Sequence, residues 1–309
     1  MNKALIIIKS PGIGDLQILL SYVHELSKEL NEPVSILAQK TTHAKAIFKN
    51  DKHIDEVLDL GKKDFLNIIN KIKLKKFDQC YIYSDSIRLW LIAQLCGISK
   101  IYHYPFFSKK FANFYITAKE FTEKILKKKI SSSSKIYCSK ESVEQAKKDY
   151  DIKDNVKNIV AGISASGPTK RYDIENYINL FQKISSRFPC KFFLFGGKND
   201  QLLIERVMSS VSNCVSLSKL DLEKIIPIIA SCRFCISNDS GPLHISANLN
   251  LKCLAIFCDS PPSAYGLWNP NIKIVVPAGK TIESTGHNTR GKDKISFDEV
   301  LQKSLDLIT

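Results

Sequence analysis

The sequence predicts an α/β protein made of two Rossmann-like, doubly wound domains, each a parallel sheet covered by helices. Short apolar segments alternate with helical patterns along nearly the whole chain, and a polar segment at 151–157 divides this alternation into two series. Such alternation is typical of parallel sheets with helices on both faces. A length of 309 residues also favours two domains. We expect domains at 1–152 and 153–309, and leave open that the final helix packs back on the first.

The first series is predicted from apolar runs and helical spacing. It contains strands at 4–9, 34–38, 56–60 and 77–83, and helices at 15–30, 86–96 and 141–150. The second series contains strands at 158–163, 191–195, 214–217, 233–237 and 253–257, and helices at 174–187, 201–209, 222–230, 245–249 and 295–307.

The apolar run that follows the N-terminus, 5–8, is too short for a signal peptide or a membrane span, and a turn follows it directly. We therefore expect a cytoplasmic protein. The nine cysteines are an odd number and lie mostly in apolar runs, which favours free buried thiols over a disulfide framework. Cys232 and Cys235 have C-x-x-C spacing but lack a second pair, so we interpret them as structural.

The chain is basic, with a formal net charge of +14. The densest basic segment is Lys109–Lys129, where seven lysines alternate with aromatic and aliphatic residues. One interpretation is a solvated helix face. The other is a basic surface for an anionic membrane, a lipid head group or an acidic acceptor. The sequence contains no recognised nucleic-acid-binding motif, so we expect no nucleic-acid partner.

A polar turn between a strand and a helix, Ser237–His244, is the most informative segment. Asp239 and Ser240 are favourable N-cap residues, and Gly241 allows a ligand to approach the backbone. The N-terminus of the following helix would favour a phosphate group. His244 lies one helical turn beyond Ser240 and could face the same site, although a lone histidine is more often structural. No set of metal ligands accompanies it, so we expect no metal.

A second turn, Ser10–Asp15, follows the first predicted strand. Gly12 and Gly14 would allow a sharp turn close to a ligand, and Asp15 falls at the start of the next helix, as a cap or a functional carboxylate. The dinucleotide-binding pattern G-x-G-x-x-G fails because Gln17 occupies its last position.

Two further turns open the second domain. The segment 162–171 approaches a phosphate-binding P-loop, but Pro168 and Thr169 separate the second glycine from Lys170. The hydroxyls of Ser164 and Ser166 and the charge of Lys170 still suit a diphosphate. Asp200 ends a third turn and could bind ribose hydroxyls, although turn chemistry alone also favours it.

Together these turns resemble glycosyltransferase family 9, the bacterial lipopolysaccharide heptosyltransferases. The strongest part of the resemblance is Ser237–Phe257, where Asp239–His244 fits the family pattern D-[TS]-G-x-x-H. The turn Gly12–Asp15 and the segment Lys170–Tyr172 also match. The resemblance implies a GT-B architecture, with the nucleotide-sugar donor in the C-terminal half and the acceptor in the N-terminal half. It implies inverting transfer from ADP-L-glycero-β-D-manno-heptose to the lipid A-linked inner core at the cytoplasmic face of the inner membrane, without a cofactor or catalytic metal.

The resemblance also assigns roles to individual residues. It implies that Asp15 is the general base, beside the acceptor-side loop of Gly12 and Gly14, and that Lys170 assists catalysis. On the donor side it implies that Ser166 and Lys170 contact the phosphates and that Asp239, Ser240 and Gly241 form the pyrophosphate turn. It also implies that Asp200 contacts the ribose and that the Leu220 backbone contacts the adenine. His244 would lie on the donor side as well. Asp239 itself should point away from the phosphates or meet a sugar hydroxyl, because two anions repel.

Two other functions remain open from the sequence. A GT-B enzyme of another reaction, such as a nucleotide-sugar epimerase, would act on the donor alone. A non-catalytic protein would bind a nucleotide or glycan without turnover. Another nucleotide sugar is also compatible with the motifs.

Overall fold

The computed structural model describes residues 3–61, 65–106, 113–130 and 134–309. The chain divides into two compact units, Met1–Tyr137 and Cys138–Thr309. Each unit contains a single parallel sheet among its described residues, with five strands in the first and six in the second. The prediction of two parallel-sheet α/β units is therefore confirmed.

The first unit alternates strands and helices from its beginning. Its elements are β1 (Ala4–Ile8), α1 (Ile13–Leu30), β2 (Val34–Ala38), α2 (Ala44–Ile47), β3 (Ile54–Asp59), α3 (Phe65–Lys75), β4 (Gln79–Tyr83), α4 (Ile87–Leu95), β5 (Lys100–His103) and α5 (Phe114–Leu126). The strand order is β3-β2-β1-β4-β5. The predicted elements did not include α2, α3, α5 or β5. The helix α2 has only four residues, α3 and α5 have charged residues among their apolar ones, and β5 is short and partly exposed.

The second unit repeats the alternation. Its elements are α6 (Lys140–Asp149), β6 (Lys157–Gly162), α7 (Ile174–Ser185), β7 (Cys190–Leu194), α8 (Gln201–Met208), β8 (Cys214–Ser216), α9 (Leu222–Ala230), β9 (Phe234–Asn238), α10 (Gly241–Asn248), β10 (Lys252–Ile256), α11 (Pro262–Tyr265), β11 (Ile272–Val275) and α12 (Phe297–Ile308). The strand order is β11-β10-β9-β6-β7-β8.

Both sheets contain a point where the chain reverses its direction of winding. In the first unit this point lies between β1 and β4, and in the second it lies between β6 and β9. Ligands of doubly wound proteins bind beyond the carboxyl ends of the strands at this position. The loops that follow β1, β4, β6 and β9 are therefore where a binding site is expected.

The division between the units lies after Tyr137 rather than after residue 152. The reason is that α6 packs against α9 and belongs to the second unit. The final helix, α12, packs against β9, β10 and α7 of its own unit, and its Val300, Leu305 and Ile308 enter that unit's apolar core.

All nine cysteines lie in the described chain as thiols, and six of them are buried. Burial raises the pKa of the Cys232 thiol, which keeps it protonated and unreactive. Among the described residues, we find no helix with the length and hydropathy required to cross a bilayer.

Candidate functional site

The reversal point of the second unit joins the ends of β6 and β9. Gly162 pairs in register with Ser237, and the side chain of Asn238 lies buried beside them. Its amide Nδ2 donates to the Gly162 carbonyl at 3.3 Å, while its Oδ1 accepts from the Tyr172 backbone N–H at 2.9 Å. Asn238 thus ties β9 to the loop that follows β6. The sequence did not single out this residue.

The turn after β9 leads directly into α10. The helix begins at Gly241, four residues earlier than predicted, because Pro242 is accepted in a first helical turn. Ser240 occupies the N-cap position, but its hydroxyl donates to the Asn238 carbonyl at 3.3 Å. This bond fixes the turn to the end of β9, and the N-terminus of α10 points beyond the carboxyl edge of the sheet. An anion at this edge would meet the positive end of the helix.

Asp239 points into the protein rather than toward the expected phosphate position. Its Oδ2 accepts a hydrogen bond from the Ser260 hydroxyl at 2.5 Å, and its Oδ1 lies 3.3 Å from His244 Nε2. On the other side of the imidazole, Trp268 Nε1 donates to Nδ1 at 3.2 Å. The expectation that Asp239 caps the helix is wrong. The alternative that it turns away from the phosphates stays a prediction.

Trp268 fixes the tautomer of His244. An indole N–H can only donate, so Nδ1 of His244 must accept, and the proton of the neutral ring resides on Nε2. That N–H then donates to Asp239. His244 is buried and both of its ring nitrogens have hydrogen-bond partners, so it contacts the turn through Asp239.

Burial alone would raise the pKa of Asp239. The hydrogen bonds from His244 and Ser260 outweigh this effect and hold the pKa below its usual range. The folded protein therefore stabilises the ionised form of this carboxyl.

Replacing Ser260 with alanine should show the value of this network. We expect Ser260→Ala to lower the free energy of unfolding by about 1.5–3 kcal/mol at pH 7, as for a hydrogen bond to a charged group. The pKa of Asp239 is lower in the folded than in the unfolded protein, so its ionised carboxyl stabilises the folded state above the unfolded pKa of about 3.9. This stabilisation is lost as the pH falls through the folded pKa. Urea unfolding at neutral and acidic pH should therefore show the difference from wild type shrinking in acid. A difference independent of pH, or one matched by the exposed control Ser209→Ala, would contradict this account.

A second buried carboxyl, Asp259, follows β10 beside the same edge. Burial would raise its pKa, but a hydrogen bond from Thr169 and another from the Arg290 backbone N–H, at 2.8 Å, hold it below its usual range. The charge of Lys170 lowers the pKa of both Asp259 and Asp239. Lys170, in the loop after β6, is thus near enough to the loops after β9 and β10 for its charge to act on both carboxylates.

Arg290 takes a left-handed backbone conformation, with φ of 46°. Such strain in a non-glycine residue is concentrated at functional sites. Its exposed side chain beside Asp259 adds a second cation near Lys170. Neither Asp259 nor Arg290 was predicted from the sequence, although the position of Asp259 just after a strand was a usable signal.

The loop after β6 is tied down by Arg171. Its guanidinium donates to the Ala165 carbonyl from Nε at 3.2 Å and from Nη2 at 3.0 Å. Nη2 also lies 3.4 Å from Asp200 Oδ1. Ser166 is exposed at the tip of this loop, so it is accessible to a ligand. Arg171 was not predicted to have a role of its own, although it lies within the motif Lys170–Tyr172.

Asp200 and Leu220 occupy the loops after β7 and β8. Asp200 Oδ2 accepts from the Gly197 backbone N–H at 2.8 Å, which closes the 3₁₀ turn Lys198–Asp200. With Arg171 on its other oxygen, Asp200 has a structural role whether or not it meets a ribose. The Leu220 backbone N–H donates to the Leu217 carbonyl at 3.0 Å, so the carbonyl of Leu220 is the group better placed for a base.

In the first unit, Asp15 lies in the first turn of α1, directly after the reversal point at β1. Gly12 is the N-cap residue, with φ of −81°, so its role is not conformational. A Cβ atom there would lie 3.2 Å from Asp15 Oδ2, and glycine therefore leaves room for the carboxylate. Thr41 supports the loop by donating to the Pro11 carbonyl at 2.9 Å. Gly14 belongs to the helix rather than to the loop.

The basic segment Lys109–Lys129 is described only in part, because residues 109–112 lie outside the described chain. Its described portion forms α5, which packs against α1. Lys128 pairs with Glu29 at 2.8 Å and Lys129 with Glu123 at 3.1 Å. Part of its positive charge is therefore balanced locally, as expected for a solvated helix face.

The sequence model of glycosyltransferase family 9 (heptosyltransferase) matches residues 112–292, more than half of the chain. The chain belongs to glycosyltransferase family 9. The matched region contains the loops after β6, β7, β8, β9 and β10 described above. The resemblance predicted from the turns is confirmed.

Individual relatives are similar over different lengths. A lipopolysaccharide heptosyltransferase 1 of Campylobacter coli is 32% identical over 139 residues, which are 43% of this chain and 40% of the relative. The chain thus matches well under two thirds of the length of its curated relatives.

Solved structures match over nearly the whole chain. A family 9 glycosyltransferase of Veillonella parvula has a TM-score of 0.84 at 18% identity, covering 99% of this chain and 97% of that one. The ADP-heptose lipopolysaccharide heptosyltransferase II of E. coli has a TM-score of 0.80 at 17% identity, covering 99% and 98%. At such identities the likeness shows the fold, and it confirms the predicted GT-B class.

Proposed function

We propose that this family 9 protein is an inverting glycosyltransferase that moves heptose from ADP-heptose to the inner core of lipopolysaccharide. The observation that carries the proposal is that β6 and β9 are neighbours at the reversal point of the second unit, so that the loop holding Lys170 and the turn leading into α10 follow adjacent strand ends. These groups present positive charge where a nucleoside diphosphate would bind. Family membership supports a sugar nucleotide, and the name of the E. coli structural relative supports ADP-heptose.

In this proposal the donor diphosphate binds along the loops that follow β6 and β9. The N-terminus of α10 at Ser240 and Gly241 receives the diphosphate, and Ser166 and Lys170 contact it from the other loop. As the glycosidic bond breaks, negative charge grows on the departing diphosphate, and these fixed donors stabilise it. Asp239 contributes indirectly, because its hydrogen bonds to Ser260 and His244 hold the turn in place.

The acceptor is proposed to bind at the first unit beside Asp15. The carboxylate of Asp15 takes the proton of the acceptor hydroxyl as that oxygen attacks the anomeric carbon from the side opposite the diphosphate. The new C–O bond forms as the bond to the diphosphate breaks, so the anomeric configuration inverts. An acceptor carried on lipid A would bring the enzyme to the cytoplasmic face of the inner membrane.

A panel of nucleotide sugars tests the proposal, first for binding and then for transfer to truncated core acceptors. We expect ADP-heptose to bind and to give a product of inverted configuration by NMR. Turnover of the donor without an acceptor would favour an epimerase. Binding without any turnover would favour a non-catalytic protein.

Lys170→Ala should weaken ADP binding by about 1.5–3 kcal/mol, because it removes a charge-assisted contact to the diphosphate. Calorimetric titration with ADP measures the loss, and the loss should shrink as the salt concentration rises. Lys183→Ala is the matched control, since Lys183 is an exposed lysine on α7 of the same unit. Equal affinities for wild type and Lys170→Ala would contradict the assignment.

A further inference from the structure

Exposed apolar side chains are concentrated on two helices of the first unit. In the described part of the chain, nine large apolar side chains are exposed, and five of them lie on α3 and α4. The five are Leu66, Leu74, Ile87, Leu91 and Leu95. Leu66 and Leu74 are 75% and 82% exposed. It is the grouping of exposed apolar side chains, rather than the exposure of any one of them, that marks an interaction surface.

The two helices present these side chains on one surface. Inward residues of α3 and α4, among them Ile72 and Ile92, enter the same apolar core on one face of the first sheet, and the helices pack against each other. The exposed residues recur at intervals of four or eight, so they form one stripe on the outward side of each helix. We call the outward sides of α3 and α4 together the α3–α4 surface.

The charged side chains that belong to α3 and α4 are all basic. The two helices contain Lys71, Lys73, Lys75 and Arg88, and neither contains an aspartate or a glutamate. Lys75 pairs with Glu56 at 2.6 Å, while Lys71 and Lys73 are exposed. By contrast, α5 contains its own acids, and two lysines at its end are paired with glutamates.

We propose that the α3–α4 surface docks this protein on a bilayer that contains anionic lipid. Helices that combine an apolar stripe with lysine or arginine side chains bind in the plane of a membrane interface. The apolar stripes enter the boundary of the acyl chains, and Lys71 and Lys73 contact the anionic head groups. Docking at this surface would place the protein beside the lipid-linked acceptor. This role of the surface rests on the proposed function, whereas the binding itself is argued from α3 and α4.

Vesicle sedimentation with the full chain tests the docking surface. We expect binding to vesicles of phosphatidylglycerol and phosphatidylcholine that exceeds binding to phosphatidylcholine alone. Leu91→Glu with Leu95→Glu should weaken binding by about tenfold or more, because two side chains lose their apolar contact. Lys71→Gln with Lys73→Gln should weaken it by about fivefold for each cation, and this loss should vanish at high salt.

Leu202 supplies a matched control. It is 81% exposed but lies on α8 of the second unit. Leu202→Glu should bind vesicles as wild type does. Thermal unfolding checks that every variant is folded, which is expected because all the changed side chains are exposed.

Trp90 supplies a local reporter within α4. The chain contains two tryptophans, and the other, Trp268, is buried in the second unit. Lipids with brominated acyl chains should quench the fluorescence of Trp90 when the protein binds anionic vesicles. Trp90→Phe should remove the quenched component without removing vesicle binding.

Four results would overturn the proposal. The first is absence of binding to anionic vesicles, and the second is that Leu202→Glu weakens binding as much as the α3–α4 variants do. The third is that Lys124→Gln with Lys127→Gln abolishes binding while the α3–α4 variants do not. The fourth is a wild-type dimer that Leu91→Glu with Leu95→Glu converts to a monomer. The last would assign the surface to a second copy. Vesicle binding is measured without donor or acceptor, and transfer is measured on a water-soluble acceptor, so failure of docking is distinguishable from failure of the proposed reaction.

Discussion

Asp15→Asn should remove most glycosyl transfer while leaving ADP affinity unchanged. An amide cannot accept the proton of the acceptor hydroxyl, and loss of a general base typically lowers kcat by about 10²–10⁴-fold. The donor loops belong to the second unit, whereas Asp15 lies in α1 of the first, so the substitution leaves the groups around Lys170 intact. Initial rates with a truncated acceptor and calorimetry with ADP measure the two effects separately.

The substitution also removes a negative charge from the first turn of α1, which costs about 0.3–1 kcal/mol of stability. Unfolding curves therefore accompany the kinetics. Glu25→Gln, which changes a carboxylate further along the same helix, is the matched control and should transfer normally. Normal transfer by Asp15→Asn, or a loss of ADP affinity as large as the loss of rate, would refute the general-base assignment.

Gly162→Ala should destabilise the protein and damage the donor site together. A Cβ atom at this position would overlap the Ser237 hydroxyl, and it would lie 2.7 Å from the Ser237 Cβ and 3.0 Å from the Pro242 Cβ. β6 and β9 would then have to separate where Asn238 and α10 are held. We expect a loss of about 1–3 kcal/mol in the free energy of unfolding, as for an overpacked core, with weaker ADP binding.

Gly167 provides the control for this prediction. It lies in the same loop, its φ is −155°, and no heavy atom of the described chain lies within 4 Å of a Cβ built on it. Gly167→Ala should therefore leave stability unchanged. Adding Ser237→Gly to Gly162→Ala should recover part of the lost stability, because it removes the main steric conflict. The prediction would be contradicted if Gly162→Ala had the wild-type free energy of unfolding, or if the double variant were no more stable than the single one.

Much of the fold followed from local patterns. The helix α9 has the bounds that its apolar spacing predicted, and β2 matches its predicted segment. These elements are strongly apolar and end at clear turn residues. By contrast, β5 and β11 are only four residues long, and α3 and α5 have charged residues among their apolar ones. Their formation depends on packing against a sheet that a local window does not contain.

The candidate site was found from the sequence as loops rather than as contacts. The turns at Asp15, Lys170 and Asp239 fall where the reversal points of the two sheets require polar loops. The directions of the side chains were not accessible in the same way. Asp239 turns inward because Ser260 and His244 offer it hydrogen bonds, and Trp268 reaches His244 from 24 positions along the chain.

The sequence by itself determined the order of strands, turns and helices, the glycine and hydroxyl residues at the strand ends, and the family of the protein. These properties depend on residues that are close together in the chain. The tertiary structure alone decided that α6 belongs to the second unit, that Asp239 pairs with Ser260 and His244, and that α3 and α4 expose their leucines. The reason is physical: parallel strands bring distant loops to one edge of the sheet, and burial then selects which polar groups pair there.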